Sequence, residues 1–464
     1  LPAALVMQDQ FPVNQWIVDV TEPVLVAHGT ADVTIDVSNG ERVYALVANK
    51  DELWIEPGAG HGDLWARGIW ALVGGLMVAA GPLSISLYSP ALPTIVAELG
   101  TSDAMGKLSL AVYFAAFALA QLVCGPLSDS WGRRKVTALF LVLYVLGSLV
   151  AAFGSSIELL LVGRVLQGIG VSVGVALSRA MVRDQFTGAE SIRILTLINL
   201  ILTVAPAIAP TLGSAILLAG SWHLLFLVMA AYGVGLIALI QWGARETHAA
   251  AARSPFHLGT IARNYWLLLR SAAFMIPALV LALSFGGFYG FAALLPFVLI
   301  DEMGLSTFGF AMVMLIQTGA FIIGNILAGY AASRLTGLRM VQIGLVLIGL
   351  AGIGFAVGLR LFPDAVAAVM VPVALWMLAL AFIGPSTTSA AMAGFGSMAG
   401  AAGALTGMFQ VGGGFVGTTL AGLAFAQAST ALSTLTPIMA GLTIAVALLR
   451  RIAIRSRSVQ PPQT

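Results

Sequence analysis

Charge is what this chain has least of. Asp, Glu, Lys and Arg make up 9% of its 464 residues, against 59% apolar side chains, too little charge to coat a water-soluble protein of this length. A soluble enzyme, a nucleic-acid binder and a disordered chain are therefore excluded as readings of the whole. Cysteine is almost missing as well: Cys124 stands alone, which excludes an internal disulfide and a thiolate metal site. No metal or cofactor is expected, and no nucleic acid as partner. The charge that is present is unevenly placed. Residues 1–66 hold ten acids and two bases, whereas residues 67–464 hold ten acids and twenty bases, so the two pieces face different solvents.

The acidic piece reads as soluble α/β structure. Val24-Leu25-Val26-Ala27 has a buried-strand pattern, Ser38 is placed to cap a helix from about Asn39 to Ala48, and Leu53-Trp54-Ile55 forms a second strand before Pro57-Gly58. This order resembles the C-terminal end of an α/β-hydrolase, and the resemblance puts Asp32 and His61 at the acid and histidine positions of a Ser-His-Asp triad. The nucleophile has no counterpart in this piece, because no Gly-x-Ser-x-Gly elbow occurs in residues 1–66; the match at Gly170–Gly174 falls within an apolar run far downstream. The expectation is a catalytically silent remnant joined to another protein.

From Arg67 onward, apolar runs of about 20 residues, the length that spans a bilayer, begin near residues 68, 105, 134, 157, 192, 221, 272, 307, 338, 365, 400 and 431. The longest interruption, 244–270, divides them into six and six. Two six-span halves about a polar loop describe a secondary transporter with its site near the midplane. With the N-terminus inside, seventeen Lys and Arg fall on the inner side and only Lys107 and Arg360 on the outer, so both termini and the central loop are expected in the cytoplasm. No cleavable signal peptide is expected ahead of the first span, since the soluble piece occupies that place.

The most specific motif follows span two: Gly125-Pro126-Leu127-Ser128-Asp129-Ser130-Trp131-Gly132-Arg133-Arg134-Lys135. It resembles the G-x-L-S-D-x-x-G-R-R-x signature of the major facilitator superfamily. The stretch at Gly329–Arg339 is a looser echo of it without the acid. The physics suits a cytoplasmic latch: glycines allow close helix approach, Asp129 can meet a helix N-terminus or an arginine, and Arg133 and Arg134 can anchor at phosphates. Further stretches narrow the resemblance to the Bcr/CflA branch of bacterial drug/proton antiporters. They include Tyr88-Ser89-Pro90-Ala91-Leu92-Pro93, Gly163-Arg164-Val165-Leu166-Gln167-Gly168-Ile169-Gly170, and Ala205-Pro206-Ala207-Ile208-Ala209-Pro210-Thr211-Leu212-Gly213.

Individual residues carry chemistry within that frame. Arg164 lies near the middle of span four, where a charge is costly and so marks a functional site, with Gln167 one turn on. Pro206 and Pro210 break the hydrogen-bond ladder of span five beside a stripe of small residues, resembling the antiporter motif of drug exporters. Tyr113, Gln121, Asn199, Phe285, Tyr289, Gln317, Asn325 and Gln410 either line a cavity or sit at helix interfaces. One departure from the family bears on mechanism. The resemblance implies an acid just before Tyr88, where it serves proton coupling, but Ser86 occupies that place, and a serine does not titrate near neutral pH. His223 replaces a usual arginine after Trp222 and adds a titratable group near the outer face.

The expected fold is an all-α membrane protein of twelve transmembrane helices in two six-helix halves (major facilitator fold) behind a short soluble α/β remnant. Its parts are a hydrolase-like fragment at 1–66, an N-terminal half at 67–243, a cytoplasmic loop at 244–270, a C-terminal half at 271–452 and a tail at 453–464. The resemblance implies a monomeric, multi-pass transporter of the bacterial inner membrane that exports small amphiphilic drugs by alternating access, with the lipid bilayer, the drug and protons as its partners. A facilitator or importer of small metabolites and a membrane-tethered hydrolase fusion are the alternatives. Reporter fusions after Arg253 and Arg457 should report cytoplasm, and one after Asp301 should report the outside. An external signal after Arg253 would overturn the two-half assignment.

Overall fold

The computed structural model describes residues 17, 20, 23–30, 35–56, 63–186, 188–243, 246–248, 253, 257–395, 398–425 and 427–458. Asp32 and His61 lie outside the described residues. The chain separates into two compact units, Leu1–Leu72 and Val73–Thr464.

In the first unit, β1 (Val24–Gly29) and β2 (Lys50–Glu56) pair in parallel, with Val26 opposite Leu53 and His28 opposite Ile55. Between them runs α1 (Val37–Leu46). Its cap is Asp36 rather than Ser38: the Asp36 carboxylate accepts the Ser38 amide at 2.9 Å, and the hydrogen bonds from Ser38 hold that carboxyl below the usual carboxylate range. A carboxylate two positions earlier accepts a free amide of the first turn, so the helix starts two residues before the expected Asn39.

The second unit is helical. Its elements are α2 (Asp63–Ser86, which begins in the first unit), a 3-10 turn at Ser89–Ala91, α3 (Leu92–Glu98), α4 (Asp103–Trp131), α5 (Arg133–Phe153), α6 (Ile157–Val171), α7 (Val173–Gln185), α8 (Gly188–Ala219), α9 (His223–Gly243), α10 (Leu258–Arg270), α11 (Ala272–Pro296), α12 (Thr307–Ala332), α13 (Gly337–Leu361), α14 (Val366–Met392), α15 (Ala399–Leu423) and α16 (Ala428–Ser458). Among the described residues ten helices are long and apolar enough to cross a membrane, with α6 and α7 together forming one of them. The two remaining spans are α8, of 32 residues, and α15, of 25 residues. Eight glycines in α15 dilute its hydropathy while leaving it helical.

Within the N-terminal half α4 and α5 each pack on α6, and α5 on α9; within the C-terminal half α11 packs on α14, α15 and α16, and α13 on α14 and α16. The two most extensive contacts between the halves are α4 with α15 and α8 with α12. Advancing each span by six positions exchanges these two pairs, as a two-fold relation between halves requires. The glycines of α15 set the first contact. Gly412 and Gly414 have the side chains of Ala118 and Phe114 of α4 within van der Waals reach of where a Cβ would stand, and Gly422 has Lys107. Small residues let backbones approach where lipid offers no hydrophobic drive.

Two boundaries differ from the sequence expectation. The central loop holds a helix, α10, because Ile261, Tyr265 and Leu268 recur on one face. Leu268 is fully buried, and the Tyr265 hydroxyl donates to the Leu122 carbonyl of α4 at 2.7 Å, where burial pushes the phenol up to about 12. The last helix continues through residues 453–458, since Arg455 and Arg457 are good helix formers and the next proline is Pro461. Because each unit is compact in its own contacts, deletion of residues 1–64 should leave the size-exclusion profile and the thermal unfolding midpoint of the purified membrane unit unchanged. A chain that aggregates after the deletion would show that the soluble unit is needed for folding.

Candidate functional site

Four helices of the N-terminal half converge on Arg164, whose side chain is wholly buried. A guanidinium at the centre of a span costs about 3 kcal/mol even on insertion scales, so its surroundings must offset that cost. One nitrogen, Nη1, donates to the Ser84 carbonyl of α2 at 3.2 Å and to Gln167 Oε1 at 2.9 Å. The rings of Tyr88 and Tyr113 lie 4.5 and 4.3 Å from the guanidinium carbon, placing their electron-rich faces against the charge. The cage is itself pinned. The Tyr88 hydroxyl pairs with Ser109 at 2.7 Å, Tyr113 donates to the Gly81 carbonyl at 3.0 Å, and Tyr144 pairs with the Ser84 hydroxyl at 2.7 Å. Gln167 in turn donates to Ser148 at 2.8 Å.

Glycines bring these side chains together. A methyl at Gly147 would sit 2.6 Å from the Gly163 carbonyl, and one at Gly170 only 2.5 Å from the Tyr144 backbone. Helices α5 and α6 thus meet backbone to backbone, which brings Ser148 and Tyr144 within reach of the Arg164 turn. No carboxylate forms an ion pair with Arg164 among the described residues.

From the cage an aromatic path leads into the other half. Tyr113 meets Phe114 at 5.8 Å between centroids, Phe114 meets Tyr289 of α11 at 4.4 Å, and Tyr289 meets Phe288 at 4.7 Å and Phe285 at 6.1 Å. The path crosses where the two halves touch.

A second cluster lies where the C-terminal ends of α4 and α7 meet the N-terminal end of α5. Arg133 is buried and donates from Nε to Asp184 at 3.1 Å and from Nη1 to Ser128 at 2.6 Å, and it also pairs with Asp129. Gly132 takes φ +100°, the left-handed region that favours glycine, and a methyl there would lie 2.5 Å from Glu246. That approach lets the Glu246 carboxylate accept the amides of Arg133 at 2.9 Å and Arg134 at 3.2 Å, the first turn of α5. Arg134 bonds to Gln241.

Of the residues singled out from sequence, the structure joins Tyr88, Arg164 and Gln167 in one cluster and Asp129, Gly132, Arg133 and Arg134 in the other. Gly125 is half-buried and has open space where a Cβ would stand, so it serves no close approach. Asp129 meets an arginine, not a helix N-terminus; Glu246 takes that place. Arg133 is buried among protein partners instead of reaching phosphates. Ser86 is half-buried and outside the Arg164 network, which passes through Ser84 one half-turn earlier. Pro210 is buried with Ala209, and Gly213 packs against the Leu87 backbone, a close approach of α8 to the end of the first span, whereas the Pro206 side chain lies outside the described residues. Gln317 keeps a buried Oε1 with no partner, and Gln410 is half-buried; neither bonds to the Arg164 cluster. Sequence reading missed Ser84, Tyr144, Ser148 and Glu246. The signal for Glu246 was an acid placed directly after span six with arginines around it.

Loss of a helix-capping group costs about 1 kcal/mol, and loss of a half-exposed ion pair less than that. Glu246→Ala should therefore lower the thermal unfolding midpoint of purified protein more than Asp129→Asn, since Arg133 retains Asp184. The reverse order would return the leading role to Asp129.

Comparison with known proteins agrees with this arrangement. Residues 74–418 match the family model of the Major Facilitator Superfamily. The chain is 32% identical over 339 residues to the MFS-type transporter YdgK of Bacillus subtilis (strain 168), covering 73% of this chain and 84% of that one. It is 29% identical over 255 residues to a bicyclomycin resistance protein homologue of Haemophilus influenzae, covering 54% and 64%. It is 29% identical over 228 residues to the multidrug resistance protein MdtL of a Shewanella strain, covering 49% and 57%. Two solved structures share its fold. The human organic anion transporter MFSD10 superposes with a TM-score of 0.59 at 18% identity, over 82% of this chain and 99% of that one; the xylose transporter XylE of Escherichia coli gives 0.64 at 12%, over 82% and 96%. Twelve spans in two contacting halves, and a family match over most of the chain, make this a membrane transporter that belongs to the Major Facilitator Superfamily.

Proposed function

We propose that this transporter exports small amphiphilic drugs across the bacterial inner membrane by alternating access, as a monomer of the Bcr/CflA type with both termini in the cytoplasm. The observation that carries the reading is the aromatic path from the Arg164 cage to Tyr289 and Phe285, which places flat apolar surface and one buried charge at the contact between halves. Such a site takes an aromatic body with a polar end, and shape rather than a dense hydrogen-bond pattern sets its selectivity. Relatives named for multidrug and bicyclomycin resistance support the same reading, as does the arginine bias that orients the spans.

The Arg133–Asp129–Asp184 cluster with Glu246 acts in this reading as the cytoplasmic brace that holds α4, α5 and α7 together while the halves rock. Proton antiport through the usual acid is weakened, because Ser86 stands in its place. The hydrolase-like first unit plays no catalytic part: its described residues form a parallel strand pair and a helix, and residues 1–66 hold no Gly-x-Ser-x-Gly nucleophile.

In a pump-deficient bacterial host, expression should raise resistance to members of an antibiotic panel, and Arg164→Ala should abolish the effect while the protein remains in the membrane. Ser86→Asp should increase pH-dependent efflux. Robust uncoupler-sensitive efflux by the unaltered protein, unchanged by Ser86→Ala, would show that protons travel by another route.

A further inference from the structure

The geometry points to a binding site for a carboxylate or similar oxoanion on the cargo, formed by the Nε and Nη2 edge of Arg164. This deepens the export reading and rests on it for the word cargo. Of the three guanidinium nitrogens only Nη1 has acceptors, Ser84 O and Gln167 Oε1. Nε and Nη2 are buried and have no hydrogen-bond partner. These two are not scattered donors: their N–H bonds run parallel along one side of the planar fork, the arrangement that receives both oxygens of a carboxylate.

No acceptor of the cage lies within hydrogen-bond reach of them. The rings of Tyr88 and Tyr113 cover the charge, and their hydroxyls are committed to Ser109 and to Gly81. Leaving two donors of a charged group unmet is expensive, more so than for neutral donors. With no carboxylate on the arginine among the described residues, an oxoanion from outside the protein is the acceptor that fits this edge. Arg164 holds it at one end and Tyr113, Phe114 and Tyr289 lead away from it, so the ligand class is an aromatic or amphiphilic monoanion. The carboxylate that Ser86 does not provide is then supplied by the cargo.

Three probes with one aromatic body separate charge from shape: 2-naphthoate, methyl 2-naphthoate and 2-naphthylmethylammonium. Calorimetry on the full chain in lipid nanodiscs should show 2-naphthoate binding about tenfold or more tighter than the ester, the size of effect a charge-assisted hydrogen bond gives, and the ammonium weakest. Arg164→Gln should erase the difference between acid and ester, and Arg164→Lys, which keeps the charge but loses the fork, should narrow it. If Arg164→Gln does not fold, the three-probe comparison on wild type decides alone. Equal binding of acid and ester, or tighter binding of the ammonium, would overturn the proposal, and so would stabilisation by chloride alone equal to that by 2-naphthoate, which would assign the edge to a free inorganic anion. Efflux of the antibiotic panel without acid preference would sink this site and leave the export reading standing; acid preference without efflux would do the opposite.

Discussion

A positive charge that no carboxylate among the described residues neutralises, held inside a membrane-spanning bundle, dictates the build of the N-terminal half. Burying a guanidinium forfeits its hydration, and only acceptors, aromatic faces and close packing are available to offset the loss. Four separate helices contribute to that end. The first span supplies the Ser84 carbonyl and Tyr88, α4 supplies Tyr113, α5 supplies Tyr144 and Ser148, and α6 carries Arg164 and Gln167. The glycines at 147, 163, 168 and 170 bring α4, α5 and α6 backbone to backbone, so the glycine pattern of span four and the arginine within it are one device.

The same economy of small residues works differently between the halves. Along α15 the glycines at 407, 412, 414 and 422 face α4, giving a smooth surface with few hydrogen bonds across it. Within the N-terminal half one end of the bundle is tied by directional bonds, from Arg133 to Asp184 and from the amides of α5 to Glu246. Bonds of that kind fix a relative position, whereas apolar contact through glycine tolerates sliding. A half that is internally braced and externally smooth suits rigid-body rocking about a fixed site.

Much of this was legible in the sequence, for reasons that differ by feature. The spans are legible because a bilayer demands about 20 apolar residues at a time, and Arg164 because a charge in such a run needs a reason. The partners were less so. Ser86 drew attention through resemblance, yet the bond to Arg164 comes from the backbone of Ser84, and a backbone acceptor leaves no trace in residue identity. Tyr144 and Ser148 depend on how α5 is rotated against α6, which periodicity does not report. Asp129 was readable as a partner for an arginine, but Glu246 lies more than a hundred residues away from the amides it accepts, and only the fold brings it back. In the first unit, Asp36 displaced Ser38 as the cap because two good capping residues lay close together and sequence alone ranks them almost equally.

With the acceptor supplied by cargo, occupancy and conformation become linked. In the described structure the Nε and Nη2 edge is enclosed and unpaired, a state whose cost falls when an oxoanion arrives. A ligand shifts a conformational equilibrium only by the difference in its affinity for the two states, and a bidentate pair in a buried cage is stronger than the same pair open to solvent, where water competes for both partners. An anionic cargo therefore favours the closed arrangement over the open ones, while an empty site disfavours it. The arginine then does the work that a titrating acid does elsewhere: it makes passage through the occluded state depend on what is bound, with the charge change carried by the ligand and not by the protein.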